Sequence, residues 1–256
     1  MVFFMGKKVV YRLPRKTFDG DKEIHLNDLE EFLVNENQSL KYKVGELKKE
    51  DIKLGRLKKD KDEFSIIEPS SIDLIKRYRR GAQIMTLKDA APIIAKTGIN
   101  KESLVIDAGT GSGSLASILA NIVGEVHTVD INQDHVKVAK KNVEKTNLKN
   151  IVFVEKNILE PANFEKEKYD LFTLDISTPW NALDTANKVL KKGGYLVVYS
   201  PSITQIQKTV NELPKYLQYL ETIEVIERAW KVGEKVLRPE TKDHGHTGFL
   251  CFVRKL

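Results

Sequence analysis

Three acidic residues in this chain stand where an α/β protein places its chemistry, and glycines follow the first of them. Asp107 precedes Ala108-Gly109-Thr110-Gly111-Ser112-Gly113. Asp130 ends the apolar run Val126-His127-Thr128-Val129, and Asp175 ends Phe172-Thr173-Leu174. A glycine turn lets the backbone bend sharply and approach a ligand with no Cβ in the way. A carboxylate placed like Asp130 accepts hydrogen bonds from both hydroxyls of a ribose. Asp175 is suited to accept a hydrogen bond from the exocyclic amine of a base, with Trp180 beyond Pro179 as an apolar wall or stacking face. Equally, Asp175 serves as a helix cap and Trp180 as core packing.

Such residues need strand ends to hold them. Leu104-Val105-Ile106 reads as a buried strand leading into the glycine turn, and Leu115, Ile118, Leu119 and Ile122 follow at helical spacing. Further strands are expected at 126–130, 151–155, 169–174, 195–199, 223–229 and 248–253, with helices at 134–146, 182–190 and 204–213. Apolar strands alternating with amphipathic helices predict a mostly parallel sheet covered on both faces. Ligands of such sheets bind beyond the carboxyl ends of the strands. No helical pattern separates the last two strands, which predicts an antiparallel closure.

Two ligands suit this frame, a dinucleotide and S-adenosylmethionine. Asp107 at the strand end opposes a pyrophosphate and favours the cationic methionyl group of S-adenosylmethionine. Hydrogen bonding of Asp107 to the amides of its own turn is the plainer alternative. The antiparallel closure also favours the methyl donor. The expected fold is α/β: a seven-stranded Rossmann-like sheet of the S-adenosylmethionine-dependent methyltransferase type over residues 101–256.

Ahead of it, residues 1–70 read as a small β-rich domain, with strands at 9–11, 40–44, 53–57 and 63–68 and turns at Phe18–Asp21 and Asp60–Asp62. Linker helices are expected over 71–100, near Ser70–Ile75 and Asp89–Lys96, with Pro92 near the start of the second and Gly98 at its end. Residues 1–100 carry 21 Lys/Arg against 16 Asp/Glu, so most of the net charge of +6 lies outside the glycine-loop region. That asymmetry suggests a module for a polyanion such as RNA. Arg79 and Arg80, with Lys76 and Arg77 around Tyr78, are the expected phosphate contacts.

The other totals exclude several classes. A single cysteine, Cys251, rules out an internal disulfide framework and sits in an apolar run that reads as a buried strand. No stretch has the apolar length of a membrane helix, and the start lacks the apolar region of a secretory signal, so a cytoplasmic protein without a membrane partner is expected. His244 and His246, with Asp243 beside them, find no third ligand at convincing spacing, so no metal is expected. Arg238 suits a phosphate or a carboxylate, the latter within the fold or at an interface.

Taken together, the motifs resemble a known family. Arg79-Arg80-Gly81-Ala82-Gln83-Ile84 with Lys88-Asp89, the loop 108–113, Leu174-Asp175 with Pro179-Trp180, Arg238-Pro239 and His246-Thr247-Gly248-Phe249-Leu250 are similar to the archaeal tRNA (adenine-N1)-methyltransferases of the TrmI family. The similarity spans nearly the whole chain. It implies methyl transfer from S-adenosyl-L-methionine to N1 of adenine in the tRNA T-loop, at position 58 and in some members also 57. It also implies a homotetramer in which the small domain helps grip tRNA. Asp175 falls on the family's catalytic aspartate, Asp130 on its ribose-binding acid, and Gly109, Gly111 and Gly113, with adjoining Ser114 and Asp107, on its cofactor loop. Asn157 stands where an adenine-binding aspartate is common, and Thr86 where relatives place an aromatic residue or histidine. Arg79, Arg80, Gln83, Trp180, Arg238 and His246 are the implied RNA-side residues. The competing readings are a small-molecule methyltransferase and a noncatalytic tRNA-binding subunit; the extra basic domain and the intact glycine loop argue against them in turn.

Overall fold

A computed structural model of the chain describes residues 6–20, 22–79, 85–233, 236–241 and 245–256. They form two compact units, one of residues up to Arg77 with Lys145–Asn147, the other of Tyr78–Glu144 and Leu148–Leu256.

The first unit is built from short strands. β1 (Lys7–Arg12), β2 (Arg15–Asp19), β3 (Lys22–Asn27), β4 (Glu30–Asn35), β5 (Leu40–Tyr42), β6 (Gly45–Leu47), β7 (Gly55–Lys59) and β8 (Asp62–Ile67) follow one another, and α1 (Ser71–Ile75) closes the unit. Four of the strands make an antiparallel sheet in the order β4-β1-β8-β7. Alternate residues of β8 turn inward, so Phe64 and Ile66 join Val10, Val34, Leu47 and Ile52 in a small core. Asp62 on the same face pairs with Arg12 at 2.9 Å. Ser70 and Asp73 cap α1 reciprocally, which halts the strand pattern there.

Two sequence expectations change in this unit. Residues 40–44 are not one strand: the chain turns at Lys43-Val44 and pairs β5 with β6. β2, β3 and β4 went unforeseen because their residues are mostly exposed or half-buried, so no apolar alternation marks them.

The second unit opens with α2 (Leu87–Thr97) and continues as β9 (Leu104–Ala108), α3 (Ser114–Ala120), β10 (Glu125–Val129), α4 (Gln133–Val143), β11 (Ile151–Val154), β12 (Tyr169–Leu174), α5 (Leu183–Val189), β13 (Leu190–Ser200), α6 (Ile203–Asn211), β14 (Leu217–Glu224), β15 (Trp230–Gly233), β16 (Val236–Pro239) and β17 (Phe249–Lys255). Seven strands form one sheet in the order β11-β10-β9-β12-β13-β17-β14. β17 runs antiparallel to both neighbours, the closure expected from the missing helix. The central strands are buried on both faces, and Ile106, Phe172, Leu174, Leu196 and Val198 are 0–1% exposed in the main core.

The sixth sheet strand lies at 217–224 instead of 223–229. It is the sheet edge and mostly exposed, so its apolar signal is weak, whereas Trp230–Gly233 forms a separate hairpin with Val236–Pro239. Pro92 falls inside α2 and not near its start, and Gly98 ends that helix at φ +65°.

Candidate active site

The glycine loop is shaped by two contacts that leave no room for side chains. Gly109 has φ +97°, and a Cβ there would meet the Asp175 carbonyl oxygen at 2.1 Å. Its amide donates to the Val129 carbonyl at 3.0 Å, while the Asp175 amide donates to the Ala108 carbonyl at 2.8 Å. The loop is thereby fastened to the ends of β10 and β12, the two strands flanking β9. Gly113, at φ +77°, caps the start of α3, and a Cβ there would crowd the Ala139 side chain of α4 at 3.1 Å. Asp107, Asp130 and Asp175 thus belong to three adjacent strand ends.

Beyond those ends lies a cleft of about 450 Å³. Gly109, Gly111, Asp130, Ile131 and His135 line one part, and Asp175, Ile176, Ser177, Tyr199, Pro201 and Thr247 line the other. Asp130 is well supplied with donors. Its Oδ1 accepts from the Asn132 amide at 2.9 Å, and its Oδ2 accepts from the Gly111 amide at 3.3 Å. His135 Nδ1 stands 3.1 Å from the same Oδ2. A carboxylate offers about four lone-pair sites, so Asp130 retains capacity for hydroxyl donors. Ile131 beside it is 73% exposed, an apolar surface at the cleft edge.

Asp175 has the opposite surroundings. Burial pushes its carboxyl up to about 7, the Asp107 charge adds to the rise, and no hydrogen bond offsets it. Tyr199 stands in the same part of the cleft with its hydroxyl donating to the Thr247 carbonyl at 2.8 Å. Its ring lies where a Cβ on Gly248 would be, 2.5 Å from the ring carbon, so only glycine fits there. Burial, then the nearby Asp89, pushes the Tyr199 phenol up to about 12.

Several sequence-predicted residues lie elsewhere. Asp107 does not face the cleft or the amides of its own turn: it accepts hydroxyl hydrogen bonds from Thr128 at 2.9 Å and Thr173 at 2.7 Å. The three are register partners on adjacent strands, so their side chains share one sheet face and meet inside it. Burial raises the Asp107 carboxyl to about 6; the Thr173 and Thr128 hydroxyls oppose this and Asp130 adds to it. Asn157 builds a turn, its Oδ1 accepting from the Leu159 amide at 3.0 Å and its Nδ2 donating to Glu160 at 3.1 Å. Ser114 is buried as the first residue of α3.

The RNA-side candidates are scattered. Trp180 lines a different hollow with Leu159 and Pro214, and Lys208 Nζ sits 4.1 Å from its ring centre. Arg79 is held through its backbone by Asn142 at 2.9 Å, with an exposed side chain. Arg238 lies exposed on β16, its guanidinium donating to the Pro239 carbonyl. His246 donates to Glu224 at 2.6 Å and to the Pro201 carbonyl at 3.0 Å, and those bonds hold its pKa above the ordinary value. It therefore braces two residues beside the cleft, Pro201 and Thr247. Thr86 caps nothing through its side chain but donates to Asp89 at 2.7 Å. Arg80, Gln83, Asp243 and His244 lie outside the described residues. Among the described residues no group of three or more His, Cys, Asp and Glu side chains is placed to hold a metal ion.

Sequence reasoning missed Tyr199, His135 and Ile131. Tyr199 sits near the carboxyl end of β13, so the strand-end rule that singled out Asp175 applied to it as well. His135 falls in the first turn after the acidic end of β10, where a side chain points back toward the cleft.

The family of tRNA methyltransferase complex GCD14 subunits matches residues 73–238. The chain belongs to that family. A tRNA (adenine(57)-N(1)/adenine(58)-N(1))-methyltransferase TrmI of Methanocaldococcus jannaschii is 34% identical, covering 75% of this chain and 78% of the relative. The crystal structure of the tRNA (m1A58) methyltransferase TrmI from Aquifex aeolicus superposes with TM-score 0.82 at 30% identity, over 100% of this chain and 99% of that one. A SAM-dependent O-methyltransferase from Thermotoga maritima gives 0.83 at 25% identity, over 98% of this chain and 93% of that one. The seven-stranded sheet of this GCD14-family chain is the Rossmann-like fold of S-adenosylmethionine-dependent methyltransferases. The matched segment includes the glycine loop, Asp130, Asp175 and Tyr199, while Thr247 lies beyond it.

Proposed function

We propose that the chain transfers the methyl group of S-adenosyl-L-methionine to N1 of adenine in the T-loop of tRNA, at position 58 and also 57, as the name of its Methanocaldococcus relative specifies. The observation that carries this reading is one cleft holding a glycine loop, a donor-rich Asp130 and a bare, half-buried Asp175 in a GCD14-family chain.

The cleft suits the methyl donor. Gly109 and Gly111 present backbone without side chains, Asp130 offers lone pairs to the ribose hydroxyls, and Ile131 supplies an apolar face for the adenine ring. Asp107 and Asn157 contribute indirectly, through the sheet and a turn. S-adenosylmethionine, when bound, supplies a sulfonium methyl whose S–C bond breaks as the N1–C bond forms. N1 of neutral adenine already carries a lone pair, so the protein need not remove a proton to make the nucleophile. Its task is to align N1 within about 3–3.5 Å of the methyl carbon. Asp175, as a carboxylate, accepts a hydrogen bond from N6 and opposes the positive charge that appears on the methylated ring. Tyr199 walls the base.

The target base must leave its stack to enter this cleft, at a cost of a few kcal/mol. Phosphate contacts by the basic first unit and by Arg79, Arg80 and Gln83 offset that cost. A homotetramer is part of the same reading, supported by the apolar exposure of Ile226 (71%), Val232 (80%) and Leu237 (74%) around the β15–β16 hairpin. No described helix is long and apolar enough to cross a membrane, and we place the enzyme with its tRNA in the cytoplasm.

The test is incubation of the protein with radiolabelled S-adenosylmethionine and an unmodified tRNA transcript, followed by nucleoside analysis. Label in 1-methyladenosine is expected. Label in another nucleoside, or cofactor binding without transfer, would overturn the proposal.

A further inference from the structure

Lys88 and Asp89 form a buried ion pair that the reaction just described does not use. Asp89 is 0% exposed and the Lys88 side chain 8%. Lys88 Nζ donates to Asp89 at 2.8 Å, to the Val225 carbonyl at 2.7 Å and to the Thr247 hydroxyl at 2.6 Å. All three ammonium hydrogens are thereby engaged. The Thr247 hydroxyl donates in turn to Asp89 at 2.8 Å, and the Thr86 hydroxyl donates to the same oxygen at 2.7 Å.

This closed network ties the first turn of α2 to the end of the β14–β17 ladder, at the residue after β14 and at the approach to β17. A buried ion pair adds little net stability, because desolvation offsets attraction. What it does fix is geometry, since every partner must sit within hydrogen-bond reach. The residue it fixes lines the cleft. Thr247 is held by its hydroxyl, and its carbonyl receives the Tyr199 hydroxyl. Tyr199 then lies over Gly248, whose missing side chain makes the space. One ammonium group therefore sets, two hydrogen bonds away, the position of the aromatic wall facing Asp175. The phenol proton is committed to the Thr247 carbonyl, which leaves the ring and not the hydroxyl to meet a base.

We propose that Lys88, through Thr247, is a positioning residue for methyl transfer: it holds the Tyr199 wall at the distance from Asp175 that the target adenine requires. The proposal rests on the reading of the cleft as the adenine site. It predicts a fault in alignment, not in binding. With the loop at 109–113 and Asp130 untouched, cofactor affinity should stay within about twofold, while kcat falls about tenfold or more, as expected for a misplaced wall.

Lys88→Met and Thr247→Val are compared with the wild type in kcat, in KM for an unmodified tRNA transcript, and in S-adenosylmethionine affinity by calorimetry. Hydrogen exchange of the peptides spanning 223–227 and 245–250 is followed by mass spectrometry without tRNA. Both variants should lower kcat with little change in KM, and exchange in both peptides should quicken about tenfold while the rest of the sheet is unchanged. Thr247→Val decides if Lys88→Met fails to fold, because it removes one hydroxyl and leaves the ion pair. Unchanged exchange, or faster exchange with kcat within twofold of wild type, overturns the proposal. A wild-type protein that transfers no methyl group defeats the reading of the site instead, and exchange at 245–250 then decides alone whether Lys88 holds this wall.

Discussion

Two carboxylates border the same cleft in opposite environments. Asp130 accepts two backbone amides and faces His135, its side chain is only 10% exposed, and it keeps lone pairs for further donors. Asp175 is half-buried, its carboxyl has no hydrogen-bond partner among the described residues, and desolvation drives that carboxyl up to about 7. A carboxylate held by backbone amides is fixed in orientation and suits permanent binding of hydroxyl groups. A bare one is costly to keep ionised and gains most when positive charge develops beside it. On this difference we propose cofactor binding for the first and catalysis for the second.

Gly109 is where the two ends meet, so its replacement should act on both. In Gly109→Ala a Cβ 2.1 Å from the Asp175 carbonyl must force the ends of β9 and β12 apart, at a φ that alanine rarely adopts. Cofactor affinity and turnover should both fall about a hundredfold or more, read by calorimetry and by label transfer. An alanine variant with wild-type kinetics would dissolve the link between the two ends.

Separating the ends is the next test. Asp130→Ala should weaken S-adenosylmethionine binding about tenfold to thirtyfold, through lost charged hydrogen bonds, while kcat at saturating cofactor changes little. A fall in kcat with unchanged affinity would exchange the roles of Asp130 and Asp175.

The pH response sharpens the same contrast. Asp175 must be ionised to accept from N6, so kcat/KM should climb with pH up to about 7 and then level off. One pH unit below that value the rate should be about tenfold down. Stability runs the other way. The native Asp175 and Asp107 carboxyls lie near 7 and 6, above their unfolded values, so the folded state binds more protons between about 4 and 7. The ligand-free protein should therefore lose stability as pH rises through that window, read by urea unfolding at fixed ionic strength. Unfolding midpoints that rise across this range would contradict the burial argument.

The smallest effect is expected at Asn157. Both ends of its amide are used within the 157–160 turn, so Asn157→Ala should leave cofactor affinity within about threefold. A much larger loss would return this residue to the adenine pocket.

Much of this arrangement was legible in the chain, for identifiable reasons. Gly109, Asp130 and Asp175 are marked by what precedes them: buried parallel strands whose carboxyl ends must converge, leaving residue type and strand position as sufficient information. Asp107, Asn157 and Trp180 carry equally suggestive types, but a motif gives location along the chain and not side-chain direction. The Asp107 carboxyl turns toward Thr128 and Thr173, which register alone decides. The edge strand β14 was misplaced because exposed residues leave no apolar pattern. Lys88 and Thr247 lie 159 residues apart, so nothing local in the sequence announces their contact.

The central claim is that Asp175 acts on the methyl-transfer step and not on cofactor binding. Single-turnover transfer by Asp175→Asn, with S-adenosylmethionine saturating and affinity measured on the same sample, tests it most directly. The rate should drop about a hundredfold or more with affinity within about threefold, and the dependence on pH near 7 should vanish. A rate equal to wild type, or a loss of cofactor affinity that accounts for the whole defect, would contradict the assignment.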